Sequence, residues 1–279
     1  MIKRLNCGQK EIDLTQPQVM GVLNVTPDSF SDGGKFIKPE RAIQHAQKMV
    51  AAGAAIIDIG GESTRPGAAE VAVDDELRRV VPVIEALVGE IPVPVSVDTS
   101  KPEVMLAAVE AGASMVNDVR ALREPGTLEA AVEINVPVCL MHMQGQPRTM
   151  QSNPQYNDVV SDIIHFLRQR IDAVLDAGIS KENIVLDPGF GFGKTTAHNY
   201  TMLREFKRFT EMGFPLLAGL SRKSMIGAIL DNPVEERMPA SVALAVLVAE
   251  RGANIIRVHD VKETVDGLKM LEAMQNLEN

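Results

Sequence analysis

Eight short apolar runs, each closed by a polar residue and followed by a helix-like stretch, constrain this chain more than any other feature. Val19-Met20-Gly21-Val22-Leu23 ends in Asn24, and Ile56-Ile57-Asp58-Ile59 ends in Gly60-Gly61-Glu62-Ser63. Val95-Ser96-Val97 ends in Asp98, Met115-Val116 in Asn117-Asp118, and Val138-Cys139-Leu140-Met141 in His142. Ile184-Val185-Leu186 ends in Asp187, Leu216-Leu217-Ala218 in Gly219 just before Ser221-Arg222-Lys223, and Ile255-Ile256 in Arg257-Val258-His259-Asp260. About eight strand–helix units in roughly 250 residues is the pattern of a (β/α)8 TIM barrel, in which the strand C-termini open on one mouth. The rhythm therefore gathers these polar residues into one site. A chain of 279 residues fits that architecture as a single domain, 1–279.

The rest of the pattern fits the barrel. Lys3–Asn6 and Glu11–Leu14 flank Cys7-Gly8-Gln9-Lys10, which predicts an N-terminal β-hairpin capping the barrel bottom. Apolar spacing predicts helices over 39–52, 74–88, from Lys101-Pro102 to Gly112, and over 126–132, 159–177, 198–212, 239–251 and 261–274. Pro82 predicts a kink in the second of these. With no Trp and only 4% aromatic residues, aliphatic layers must fill the barrel.

Several function classes fall away. A net charge of −9 without basic clusters argues against nucleic acid as the main partner. No apolar run has the length needed to span a membrane, and the first residues lack a signal-like apolar stretch. Cys7 and Cys139 are the only cysteines, and two unpaired thiols point to a cytoplasmic protein.

Two loops following strands are longer than connectors need to be: Val25–Lys38, containing Asp28, Phe30 and Gly33-Gly34, and Gly60–Val73, containing Thr64, Arg65 and Pro66-Gly67. Their position at the mouth and their hinge-like residues predict lids, with surface insertion as the plain alternative. The mouth residues sort by sign. Asp98 and Asp187 supply carboxylates with Asn117 between them, whereas Arg65, Arg222, Lys223, Arg257 and His259 supply positive charge. An acidic half suits a heterocycle rich in N–H donors, and a basic half at the late strands suits phosphate. A structural salt-bridge network at the rim is the competing reading.

Other apparent motifs carry less. Gly189-Phe190-Gly191-Phe192-Gly193-Lys194-Thr195 resembles a phosphate loop, but Pro188 stands where that loop needs a glycine. It reads instead as a flexible turn bringing Phe190 and Phe192 towards a planar ligand, or as core packing of both rings. His142 has no partner at metal-ligand spacing. Lys223 could form a Schiff base, although its Ser-Arg-Lys-Ser setting favours anion or carbonyl binding. Asp58 and Asp118 are expected to orient neighbours, and Cys139 and Met141 to fill the barrel, with Met141 also able to pack on a ring.

With these segments assembled, the chain resembles dihydropteroate synthases along essentially its whole length. The resemblance is carried by Leu23–Gly34, Gly60–Gly67, Ser96–Thr99, Val116–Asp118, Asp187–Lys194, Ser221–Ser224 and Arg257–Asp260, and none departs from the family pattern. It implies a pterin pocket of Asp98, Asn117, Met141, Asp187, Phe192, Gly219 and Lys223. It implies diphosphate binding by Asn24, Arg65, Arg257 and His259, with Asn24 associated with Mg2+. It implies a para-aminobenzoate region of Thr64, Arg65, Pro66, Phe190, Lys223 and Ser224, and places Asp28 and Phe30 on the first mobile loop. Asp98, Asp187, Lys223, Arg257 and His259 are the expected catalytic set, in a homodimer joined through barrel helices.

The implied reaction joins para-aminobenzoate to 6-hydroxymethyl-7,8-dihydropterin diphosphate, releasing pyrophosphate in folate biosynthesis. The aniline nitrogen already has its lone pair, so the barrier lies in C–O cleavage, and the carboxylates around the ring favour a dissociative, carbocation-like path, with direct displacement as the alternative. The alternatives are a pterin-dependent methyltransferase barrel, which has no use for the Arg257-His259 pair, and a non-catalytic pterin- or phosphate-binding protein.

Overall fold

The computed structural model describes residues 2–26, 39–63, 68, 70–146 and 149–276. An antiparallel hairpin opens the chain, β1 (Arg4–Cys7) and β2 (Lys10–Asp13), in register from Arg4↔Asp13 to Cys7↔Lys10. Eight parallel strands follow: β3 (Gln18–Asn24), β4 (Ile56–Gly60), β5 (Val95–Asp98), β6 (Met115–Asp118), β7 (Val138–Met141), β8 (Ile184–Asp187), β9 (Leu217–Ala218) and β10 (Ile255–Val258). Their order is β8-β7-β6-β5-β4-β3-β10-β9, and a parallel bridge Leu186↔Leu216 joins the two ends into a ring. This is the expected (β/α)8 barrel.

Helices α1 (Pro39–Ala51), α2 (Val73–Val88), α3 (Pro102–Glu110), α4 (Thr127–Ile134), α5 (Val159–Asp176), α6 (Thr196–Arg204), α7 (Lys207–Thr210), α8 (Ser224–Leu230), α9 (Met238–Glu250) and α10 (Val261–Asn276) intervene or follow. Strand alternation divides the core in two. Val95, Val97, Val116, Leu140, Leu186 and Ile256 face the helices and join one large cluster with them. Met20, Ile56, Met115, Cys139, Val185, Leu217 and Ile255 point inwards near the strand starts. Leu5, Cys7, Ile12 and Leu14 of the hairpin pack onto that inner layer, so the hairpin does close the barrel bottom. Cys7 and Cys139 are buried there as free thiols.

Two local expectations change. The helix expected over 198–212 is two, broken at Glu205-Phe206; the turn there accompanies burial of both Phe206 and Phe209. Helix α8 was not expected, because seven residues are too few to show a helical period. It rests on Arg237, which donates to the carbonyls of Arg222, Lys223 and Asn232 at 3.3, 3.4 and 3.1 Å. Gly227 allows that approach, since a Cβ there would lie 2.2 Å from Arg237 Nη2. Helix α2 spans Val73–Val88 as expected, with Pro82 inside it.

Candidate active site

The inward-facing positions at the strand C-termini carry Asn24, Gly60, Asp98, Asn117, Met141 and Asp187, with Gly219, Arg257 and His259 completing the ring. Asp58 lies one inward step below Gly60, since Asp58 pairs with Ser96 and Gly60 with Asp98. The barrel thus brings most of the candidates from eight separate segments to one mouth. Asp28, Phe30, Thr64, Arg65 and Pro66 lie outside the described residues.

Arg257 occupies the centre. Its Nε donates to Asp58 Oδ2 at 2.6 Å and its Nη2 to Asp98 Oδ2 at 2.7 Å. The expected separation into an acidic and a basic half therefore does not hold here: two carboxylates share one guanidinium. Strand order at 257 and at 58 and 98 is distant in sequence, and only ring closure makes them neighbours. Asp58 Oδ2 also accepts from Asn117 Nδ2 at 3.1 Å, so Asp58 does orient neighbours.

Burial sets the electrostatics. It pushes the Asp98 carboxyl up to about 7, opposed by Arg257 and reinforced by Asp58. It also pushes Asp187 up to about 6, against the Gly189 N–H, which donates at 2.7 Å, and nearby Lys223. Burial lowers Lys223 to about 8, although Asp187 favours its charge. Burial works against the Arg257 charge as well, but Asp58 and Asp98 outweigh it and hold the guanidinium above its ordinary value.

Lys223 Nζ sits over the Phe192 ring, 4.2 Å from its centroid. Phe192 borders a small apolar wall of Val119, Met141, Met143 and Met150. Phe190, in contrast, is 1% exposed and stacks on Phe206 with centroids 6.1 Å apart. The core-packing reading thus holds for Phe190, and Phe192 is the ring at the pocket. Ser224 is exposed at the first position of α8.

Two basic residues are engaged by the protein itself. Arg222, with a left-handed backbone (φ 56°), is paired with Asp260 through Nε at 2.9 Å, and its N–H donates to Ser241 Oγ at 2.9 Å. Its charge is spent inside the rim. Lys194 is buried and points inwards, donating to the carbonyls of Gly189 and Phe192 at 2.8 and 2.9 Å and meeting His142 Nδ1 at 3.0 Å. Burial, helped by Lys194, pushes His142 down to about 2, so this imidazole stays neutral. The apparent phosphate-loop lysine is an internal post for the turn that carries Phe192.

His259 is oriented from behind. Ser221 Oγ lies 3.0 Å from its Nδ1 and accepts its backbone N–H at 3.2 Å. Beside Asp98 opens a cavity of about 320 Å3 lined by Glu62, Thr99, Lys101 and Arg120. At its edge Lys101 bridges Glu62 and buried Glu76, and Arg79 donates to Gly61 O at 2.8 Å. These contacts fasten the root of the second long loop, a role that sequence reasoning missed because Glu62, Glu76 and Lys101 belong to three different units.

Among the described residues no group of three or more His, Cys, Asp or Glu could hold a metal. Asn24 offers one neutral amide oxygen, and the missing side chain at Gly60 leaves open the space between Asn24 Oδ1 and Asp98 Oδ2, 3.7 and 3.8 Å from where a Cβ would stand. Mg2+ commonly keeps its waters and takes most of its protein-site charge from substrate phosphates. The described donors fit an ion held mainly by ligand oxygens and water.

Residues 20–259 match the pterin binding enzyme family. The chain is 53% identical to the dihydropteroate synthase of Haemophilus influenzae over 98% of its own length and 99% of that protein's. It is 55% identical to that of Escherichia coli K12, covering 94% and 93%. Among solved structures, Yersinia pestis dihydropteroate synthase with a sulfonamide drug superposes with TM-score 0.94 at 54% identity, covering 98% of this chain and 99% of that one. The Xanthomonas albilineans enzyme with 4-aminobenzoic acid gives 0.93 at 52% identity and 99% coverage of both chains, and with 7,8-dihydropteroate 0.89 at 50% identity, covering 98% and 99%. A barrel mouth of buried carboxylates and cations, joined to near full-length identity of this order, makes the chain a member of the dihydropteroate synthase family, the pterin-binding transferases of folate biosynthesis.

Proposed function

We propose that the chain binds 6-hydroxymethyl-7,8-dihydropterin diphosphate deep in the barrel and para-aminobenzoate above it, forming 7,8-dihydropteroate and pyrophosphate. The observation that carries this reading is the convergence of Asp98, Asn117 and Asp187 with Lys223, Arg257 and His259 at one mouth. Asp98, Asn117 and Asp187 accept the ring N–H groups, while Met141, Phe192 and Gly219 line the ring faces. Arg257 and His259 take the diphosphate; for Arg257 this means exchanging at least one carboxylate for phosphate oxygens. Lys223 serves both the ring and the incoming amine side, with Thr64, Arg65, Pro66 and Ser224 receiving para-aminobenzoate and Phe190 backing the pocket from the core.

In the reaction the C–O bond breaks with its electron pair leaving on pyrophosphate, the aniline lone pair forms the C–N bond, and the nitrogen then releases one proton to water or pyrophosphate. Bound Mg2+ would neutralise diphosphate charge, with Asn24 its protein oxygen donor. Arg257 and His259 meet the charge that develops on the leaving group. Asp98 and Asp187 favour positive charge on the ring, which supports a dissociative path over direct displacement. Such a cation is quenched by water, and the loops carrying Asp28, Phe30 and Thr64–Pro66 are assigned its exclusion.

The same reading covers assembly and location. Ile229, Leu230, Met270 and Met274, on α8 and α10, are each more than half exposed, and α9 between them is apolar nearly all round. This supports a homodimer joined through these helices. Among the described residues no helix is long and apolar enough to cross a membrane, and both thiols are free, which supports a cytoplasmic protein.

The test is pyrophosphate release that requires the dihydropterin diphosphate, para-aminobenzoate and Mg2+ together. Release that ignores para-aminobenzoate would remove the synthase reading. Calorimetry should also show para-aminobenzoate binding weakly alone and strongly with pyrophosphate or pterin present.

A further inference from the structure

Asn117 is 3% exposed, and its amide can be placed two ways round, which present opposite patterns to a ligand. The structure removes that freedom. Nδ2 donates to Asp58 Oδ2 at 3.1 Å, and the same oxygen receives Arg257 Nε at 2.6 Å. An oxygen held against a guanidinium is an acceptor, so the amide must turn a donor to it. Turning Asn117 over would set Oδ1 against Oδ2, two buried acceptors with no hydrogen between them. Asp58 is itself fully buried in mid-strand, where its position is fixed by the barrel ladder.

One Asn117 N–H is thereby used. The other N–H and Oδ1 remain, and Oδ1 takes no hydrogen bond among the described residues. Together they offer a neighbouring acceptor and donor. That pair complements an exocyclic amino group beside an unprotonated ring nitrogen, the edge of a 2-aminopyrimidine. It mismatches a carbonyl beside a ring N–H, the edge of the corresponding 2-oxo ring. We infer that Asp58, through the orientation it imposes on Asn117, determines the preference of this pocket for 2-amino over 2-oxo pteridines. Asp58 is thus a positioning residue; it touches neither substrate. Asn117 does the reading, and the pterin assignment of the pocket, on which this depends, is the one proposed above.

The experiment compares 6-hydroxymethylpterin with 6-hydroxymethyllumazine, its 2-oxo counterpart, by calorimetry on wild type and Asp58→Leu. Wild type should prefer the pterin. Asp58→Leu removes the acceptor at similar size, so Asn117 is released to turn over, and the preference should fall by about tenfold or more, the value of one unmade buried hydrogen bond. General loosening of the pocket would weaken both ligands in parallel and leave the ratio unchanged, and that outcome overturns the inference. Absence of any preference in wild type would instead overturn the pterin reading itself. If Asp58→Leu does not fold, wild type still decides. The side-chain amide of Asn117, assigned by its loss in Asn117→Ala, should show one proton shifted downfield and protected from exchange. Two freely exchanging amide protons would refute the fixed orientation.

Discussion

Replacing Arg257 with Met would leave Asp58 and Asp98 facing each other without their shared cation. The two carboxylates are 0% and 8% exposed and lose charged hydrogen bonds of 2.6 and 2.7 Å. Removing one partner of a buried ion pair costs about 3–5 kcal/mol. Arg257 retains 22% side-chain exposure, so water can follow it in part, and about 3 kcal/mol is the fitting figure. For a chain of this size that corresponds to roughly 6–12 °C in Tm. The loss should depend on pH, and its sign follows from Asp98. Its carboxyl in the folded chain is already raised to about 7 from an ordinary value of 3.8, so the fold holds a proton that the unfolded chain releases. Between those values stability falls as pH rises. Without Arg257 the fold holds that proton more tightly, and the fall continues above pH 7. The Tm gap between wild type and Arg257→Met should therefore be smallest near pH 5 and largest near pH 8–9. Adding Asp98→Asn should close most of it. Thermal melts of the three proteins across this range provide the assay. A gap independent of pH, or one that Asp98→Asn leaves untouched, would refute the account of two carboxylates on one guanidinium.

Three further outcomes can be checked directly. The value of kcat/KM for the pterin diphosphate should be bell-shaped in pH. Its acid limb is set by protonation of Asp98 and Asp187, raised to about 7 and 6, and its alkaline limb by loss of the Lys223 charge, lowered to about 8; a flat profile from pH 5.5 to 9 would contradict these environments. Asp187→Asn should weaken 6-hydroxymethylpterin binding by about 5- to 150-fold in calorimetry, since it turns a donor towards ring N–H groups; unchanged affinity would mean that Asp187 faces no such group. Gly189→Ala should lower Tm by several degrees and impair pterin binding together. Its φ is +74°, a Cβ there would lie 2.0 Å from the His142 carbonyl oxygen, and its N–H holds Asp187; a variant as stable and as tight-binding as wild type would show that this turn is free to shift.

The barrel was legible because its rules are local and repeated. An apolar run ending in Asp98 or Asp187 shows both where a strand lies and which end of it carries chemistry. The hairpin was legible for the same reason. Pairings around the ring were not. That Arg257 meets Asp58, 199 residues away, depends on the first and last barrel strands lying side by side in register, Arg257 opposite Met20. The expected two-sided charge map followed chain order, while the structure follows ring order. Phe190 and Phe192 show a finer limit: two rings two residues apart, with only the positive φ of Gly189, Gly191 and Gly193 deciding which turns to the core and which to the mouth. Lys194 is the same case in a charged residue, since its inward course depends on carbonyls of that turn.

The hairpin at the far end has a reach that its distance from the mouth conceals. Leu5, Cys7, Ile12 and Leu14 are what keeps the lower interior of the ring dry. A chain shortened to begin at Gln18 would retain each described candidate side chain, yet solvent could rise through the ring from below towards Ser96 and Asp58. The unusual proton affinities of Asp98 and Asp187 arise first from their burial, and wetting the lumen would let them relax towards those of carboxylates in water. Two short strands at the amino terminus thus act as remote insulation for the acid–base properties of the opposite end.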